Sequence, residues 1–180
     1  DDADRQRLAQ AGINTLLAVR VGPRHRLGTR TLTGGSSTTS GAKFLAARRL
    51  ALFVMASVEQ GTRWLALDHG RAAWDAAREQ VESFLESLAA EGAFAGTEPE
   101  ESWFVLCDER LNPPDAVALG KVSLLFGFAV TQPGEFETCL VTHQAGRSRV
   151  RPVSANRLQV SSRRRAWEVE TGILRGLIAM

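Results

Sequence analysis

Residues 44–108 read FLAARRLALFVMASVEQGTRWLALDHGRAAWDAAREQVESFLESLAAEGAFAGTEPEESWFVLCD. From about Phe44 to Gln60 the run is apolar on more than one face, through Leu45, Leu52, Phe53, Met55 and Val58. That pattern predicts a helix packed on two sides, with Gly61 as its left-handed stop. Arg63-Trp64-Leu65-Ala66-Leu67 follows and reads as a short strand. From about Ala72 to Glu91, Trp74, Ala77, Val81, Phe84, Leu85 and Leu88 follow helical spacing, while Glu79, Glu82 and Glu86 fall off that face. Gly92 should end this helix, and Trp103 to Cys107 should form the next strand. The order helix–strand–helix–strand predicts an α/β (α+β) fold, with a mixed or antiparallel sheet packed by two main helices.

On the N-terminal side, Arg5 to Ala11 is weakly helical. Ile13 to Val21 and Arg24 to Leu32 read as extended pieces broken by Gly22-Pro23. Thr33 to Ala42, TGGSSTTSGA, has almost nothing to bury and predicts a mobile loop. It is no phosphate cradle, because Lys43 is followed by Phe44 rather than by the Ser or Thr of G-x-x-x-x-G-K-[ST]. On the C-terminal side, Glu98 to Glu101 begins a turn, Asn112-Pro113-Pro114-Asp115 is a break, and Ala116 to Leu119 suits a helical turn. Lys121 to Thr131 alternates, with Val122, Leu124, Phe126, Phe128 and Val130 on one face. The turn pair Pro133-Gly134 leads into a second strand, Phe136 to His143, so the two strands should form an antiparallel hairpin. After Gly146 the chain is basic and polar and is broken by Pro152. Arg147 to Ser162 therefore reads as a linker or arm, and Arg163 to Met180 as an amphipathic helix through Trp167, Leu174, Leu177 and Ile178. The domain reading is 1–146 for the folded unit and 147–180 for the arm and helix.

The length, 180 residues, suits one domain or one domain with an appendage, and a hydrophobic fraction of 44% is enough for a packed core. No apolar run reaches the roughly 20 residues of a membrane span. The start, Asp1-Asp2-Ala3-Asp4, is acidic where a signal peptide is basic. With no initiator Met, the chain reads as a fragment or a processed product. A net charge of +2 gives no general reason to expect nucleic acid. Cys107 and Cys139 lie in apolar strand-like runs without a C-x-x-C partner, so buried free thiols are expected rather than a disulfide.

Several pieces, in order, carry a resemblance to a known family. They are GINT (Gly12 to Thr15), GTRTL (Gly28 to Leu32), RRL (Arg48 to Leu50), EQGTRW (Glu59 to Trp64) and WDAAREQVESFL (Trp74 to Leu85). EGAFAGTEPEESWFVLCDE (Glu91 to Glu109) and QPGEFE (Gln132 to Glu137) complete the set. Across Ala11 to Gly146 the chain resembles the C-terminal domain of contractile tail sheath proteins, which surround the tubes of phage tails and phage-tail-like injection particles. It departs from that pattern by lacking the family's large N-terminal region, by a loop poor in aromatic and charged residues at Thr33 to Ala42, and by its tail after Gly146.

The resemblance implies a structural subunit, assembled in the bacterial cytoplasm, that polymerises around an inner tube and contracts by rearrangement without a nucleotide. It implies neighbouring sheath subunits and the inner tube protein as partners, with baseplate and tail terminator proteins at the ends. Neighbours' arms would add strands to the sheet, and the strand Phe136 to His143, with Phe136, Thr138, Leu140 and Thr142 on one side, is the expected edge. Arg48 and Arg49, or Arg71 and Arg78, are the candidate tube contacts, although exposed arginines on a helix are commonly just solvated.

No catalytic, cofactor-binding or metal-binding residues are expected. Asp68-His69 sits between a strand-like piece and a helix, where Asp ordinarily caps or turns the chain. Cys107 has no activating base in view, and His25, His69 and His143 lack metal-ligand spacing. The alternative to a sheath subunit is a non-enzymatic binding module. In that reading the basic C-terminal segment, with Arg163-Arg164-Arg165 and Trp167, docks on nucleic acid or an acidic protein.

Overall fold

A computed structural model describes residues 2–11, 13–18, 25–27, 31 and 44–153. The chain divides into two compact units, Asp1–Leu52 and Phe53–Met180. The Thr33 to Ala42 loop and the Arg163 to Met180 helix expected from sequence lie outside the described residues.

In the first unit, α1 (Asp2–Gln10) is followed by β1 (Leu16–Ala18) and β2 (His25–Leu27). The two strands pair antiparallel with Leu17 opposite Arg26, and each falls inside an extended piece read from the sequence.

α2 (Leu45–Gly61) contains the division between the units. Its buried stripe is Ala47, Ala51, Val54 and Val58 at helical spacing, whereas Leu45, Leu52 and Phe53 are exposed. Of the bulky apolar residues expected to pack, only Val58 is fully buried. Gly61 is not the left-handed stop; the helix ends at Thr62, whose hydroxyl donates to the Val58 carbonyl at 2.6 Å. The same carbonyl also accepts the Thr62 backbone N–H at 3.0 Å, so backbone and side chain of Thr62 both close the last turn.

Arg63 to Leu67 is a second correction. Arg63–Ala66 is a 3-10 turn, closed by Leu65 N–H on the Thr62 carbonyl (3.0 Å) and Leu67 N–H on the Trp64 carbonyl (2.9 Å). This short run between two helices has no ladder partner, so the backbone satisfies itself locally. Leu65 is buried and Leu67 is 90% exposed.

α3 (Arg71–Ala90) buries Ala73, Trp74, Ala77, Val81 and Leu85, close to the predicted stripe. It ends as expected at Gly92, which has φ +77°. Ala93 N–H reaches the Leu88 carbonyl (3.0 Å) and Gly92 N–H the Ala89 carbonyl (2.9 Å), a Schellman pair that closes the last turn. α4 (Pro99–Ser102), with proline at its start, leads directly into β3 (Trp103–Leu106).

α5 (Pro114–Ala118) precedes β4 (Val122–Ala129), β5 (Phe136–Gln144) and β6 (Arg147–Val153). The sheet is antiparallel throughout, in the order β3-β4-β5-β6, so the fold class is α+β. The hairpin between β4 and β5 forms as predicted. Gly134 takes φ +76° in its turn and donates its N–H to the Glu101 carbonyl at 2.9 Å.

β4 differs from a half-exposed strand because all eight of its residues are buried. Phe126 and Phe128 lie on one face, with Phe94 5.5 Å from Phe128 between ring centroids. On the other face the Phe104 ring lies over Gly127 and meets Phe136 edge-on at 5.2 Å. Beyond the end of β3, the Asn112 amide continues the ladder. Its oxygen accepts from Ser123 N–H (2.6 Å) and its nitrogen donates to the Ser123 carbonyl (3.0 Å), so one side chain stands in for a peptide unit.

The linker expected from Arg147 begins instead as a strand. β6 pairs with β5 from Gln144 opposite Arg147 to Thr138 opposite Val153, across a two-residue turn in which Gly146 has φ +74°. Pro152 is tolerated because β6 lies at the edge of the described sheet, where a missing N–H breaks no second ladder. The remainder of 147–180 lies outside the described residues. Among the described residues, no helix is long and apolar enough to cross a membrane.

Candidate functional site

The four residues Phe136, Thr138, Leu140 and Thr142 do share one side of β5, but β5 is not an edge. β4 pairs along its whole length, and β6 covers the other side from Thr138 onward. Thr138 and Leu140 are buried, so neither their backbone nor their side chains form a free surface. Within the four-stranded sheet, the strands paired on one side only among the described residues are β3 and β6.

β3 borders a groove of about 570 Å³. Trp103 to Cys107 line it along the strand, Asp75, Arg78 and Glu82 from α3, and Asp108 and Arg110 from the turn that follows. Arg78 lies between two carboxylates, 3.2 Å from Asp75 and 3.6 Å from Glu82, one helical turn to either side. Asp108 accepts from the Arg110 backbone N–H at 2.9 Å and from its Nε at 2.8 Å, and this holds the guanidinium more firmly protonated. With Glu100 also on the wall, four carboxylates face two guanidiniums, which leaves the groove net acidic.

The candidate arginines therefore separate. Arg48 and Arg49 are exposed on α2, in the first unit. Arg71 and Arg78 are two turns apart on α3, in the second unit. Arg71 pairs with Glu109 at 2.6 Å while staying well exposed, whereas Arg78 is tied into the groove wall. Its partners Asp75 and Glu82 were legible as i−3 and i+4 charges on one helix. The contribution of Asp108 and Arg110 was not, because it depends on where the chain turns after β3.

The pairs that invite a catalytic reading have structural partners. The Asp68 carboxylate accepts from Gly70 N–H at 3.0 Å, making a turn, while Gly70 rather than Asp68 is the cap residue of α3. His69 Nδ1 lies 3.1 Å from the Leu65 carbonyl and donates to it. Cys107 and Cys139 are free and buried, as expected. Burial, helped by the neighbouring Asp108 carboxylate, pushes the Cys107 thiol up to about 12. A thiol held protonated in this way is a poor nucleophile. Among the described residues, no group of three or more His, Cys, Asp or Glu is placed to hold a metal ion.

Chains of similar fold occur in solved structures of contractile injection particles. One match is a chain in the structure of the anti-feeding prophage baseplate, with a TM-score of 0.65 and 21% identity over 76% of this chain. A second is a chain of the sheath complex of an extracellular contractile injection system, PVC, in its contracted state, with a TM-score of 0.57 and 21% identity over 69% of this chain. The chain spans 37% and 34% of the lengths of those two. At this identity the likeness is one of fold, and it meets the resemblance read from the sequence. No family model matches the chain, and no curated protein matches it.

Proposed function

We propose that the chain is a sheath-type structural subunit, or part of one, of a contractile injection particle. It would polymerise around an inner tube and move between two packed arrangements. The observation that carries this reading is the shared fold over 76% of the chain. In this reading the contact strand is β3 rather than β5. A strand from a neighbouring subunit would add to the β3 edge by main-chain hydrogen bonds and lie in the groove beneath α3. The net acidic wall favours a basic incoming segment. Contraction would be rigid-body repacking of interfaces while such strand connections hold. Arg48, Arg49 and Arg71 remain the proposed tube contacts, being exposed, and Arg78 is reassigned to the groove wall. The partners would be neighbouring subunits and the tube protein, with baseplate and terminator proteins at the ends, in a particle assembled in the bacterial cytoplasm.

The test is negative-stain electron microscopy of the full-length protein, with and without its tube protein. Hollow helical sleeves are the expected result. Monomers that persist at high concentration in low salt would overturn the reading.

A further inference from the structure

Among the described residues of the second unit, the most buried titratable group is His143, 0% exposed, near the turn end of β5. Its Nε2 lies 2.8 Å from Thr62 Oγ1, and its Nδ1 lies 2.8 Å from Ser148 Oγ on β6. The Thr62 hydroxyl proton is already committed to the Val58 carbonyl at 2.6 Å. Thr62 must therefore accept, so Nε2 carries the ring proton, Nδ1 is bare, and Ser148 donates to it. The result is one directed chain of hydrogen bonds, from Ser148 through His143 and Thr62 to Val58. It joins β6, β5 and the end of α2.

We propose that His143 is a proton-operated latch on edge strand β6. Neutral, the ring accepts the Ser148 proton and holds the strand to the end of α2; protonated at Nδ1, it places a buried charge without a full counter-ion at that junction, and β6 loosens from β5. Protonation reverses the polarity of the chain at one atom. Ser148 must turn to accept, and a charge is created where no water reaches. The charged groups bearing on the ring are Glu59 of α2 and Arg63 of the 3-10 turn, an ion pair of opposite signs at 3.5 Å, so neither acts as a full counter-ion. The residues opposite His143 in the ladder, Val122 on β4 and Ser148 on β6, carry no charge.

Burial holds the imidazole below its ordinary 6.5, with Glu59 opposing and Arg63 adding to the shift. The latched state thus binds fewer protons than the open one. Its advantage is complete above 6.5 and falls as pH drops from there toward the ring's own, lower value. β6 is the strand that should respond. Val153 is its one fully buried residue, whereas every residue of β4 is buried. This inference does not rest on the sheath reading, although a loosened β6 would also bare the second edge of β5.

The test is hydrogen exchange followed by mass spectrometry on the 180-residue chain, corrected for intrinsic rates, at neutral pH and about one unit below the free-imidazole value. The expected result is more frequent opening of residues 147–153 at the lower pH, by at most about tenfold, with 122–129 unchanged. In His143→Leu that response should vanish. Ring 15N resonances of the wild type supply a second readout, which needs no variant. They should show the Nε2–H form at neutral pH and titrate together with the loss of β6 protection. Parallel loss in β4 and β6, an undiminished response in His143→Leu, or a ring titrating as if exposed would each overturn the latch.

Discussion

Gly127→Ala is the smallest change that should strongly destabilise the sheet. A Cβ built at Gly127 would sit 2.2 Å from Phe104 Cε1 and 2.7 Å from Cζ, far inside contact distance. The ring cannot easily yield. Phe104 is fully buried and is met edge-on by Phe136 at 5.2 Å between centroids. Intrinsic preference runs the other way, because Ala in a strand is better than Gly by roughly 0.5–1 kcal/mol. Overpacking a tight core costs about 1–3 kcal/mol, occasionally more, and a full-ring clash belongs at the upper end. The expected net loss is about 2 kcal/mol, read as a lower urea midpoint by far-UV circular dichroism with an unchanged slope. Phe104→Ala alone should cost about 3–5 kcal/mol through the cavity it leaves. In the double variant the added methyl fills part of that cavity, so the two losses should sum to more than the measured total. A Gly127→Ala variant as stable as wild type, or strict additivity with Phe104→Ala, would refute the packing argument.

Three further outcomes follow from particular side chains. Asn112→Ala leaves the Ser123 N–H without the Asn112 oxygen and its carbonyl with only the weak Cys107 thiol donor, and thermal or urea unfolding should show a loss of about 3 kcal/mol. Native Cys107, with its thiol raised to about 12, should resist alkylation near pH 8.5, where the denatured chain labels readily; equal rates would contradict its burial. Arg71→Ala breaks an ion pair whose partners are 72% and 63% exposed and should leave stability within about 0.5 kcal/mol. A sleeve-assembly defect in that variant would then report an interface rather than folding.

The sequence by itself determined the elements whose signals are local. The α3 stripe from Trp74 to Leu85 is a helical period long enough to admit no other reading, and Gly92 marks its end with a backbone conformation that side chains disfavour. Pro133-Gly134 between two alternating runs fixed the β4–β5 hairpin, because a short turn leaves antiparallel pairing as the available geometry. Even the overall fold was legible through an ordered series of short matches. Tertiary structure alone decided which strand is an edge. Alternation along Phe136 to His143 reports which side chains share a face, but it says nothing about whether the backbone is paired on one side or two. That depended on β6, whose arginines and proline disguise it as a linker. The turn at Arg63–Ala66 was hidden for the same reason, since a short, largely apolar run becomes a strand only if a partner lies alongside. His143 and Asn112 carried no signal either. The bonds that define them reach Thr62 and Ser123, 81 and 11 residues away in sequence, and only the folded chain brings those partners within 3 Å.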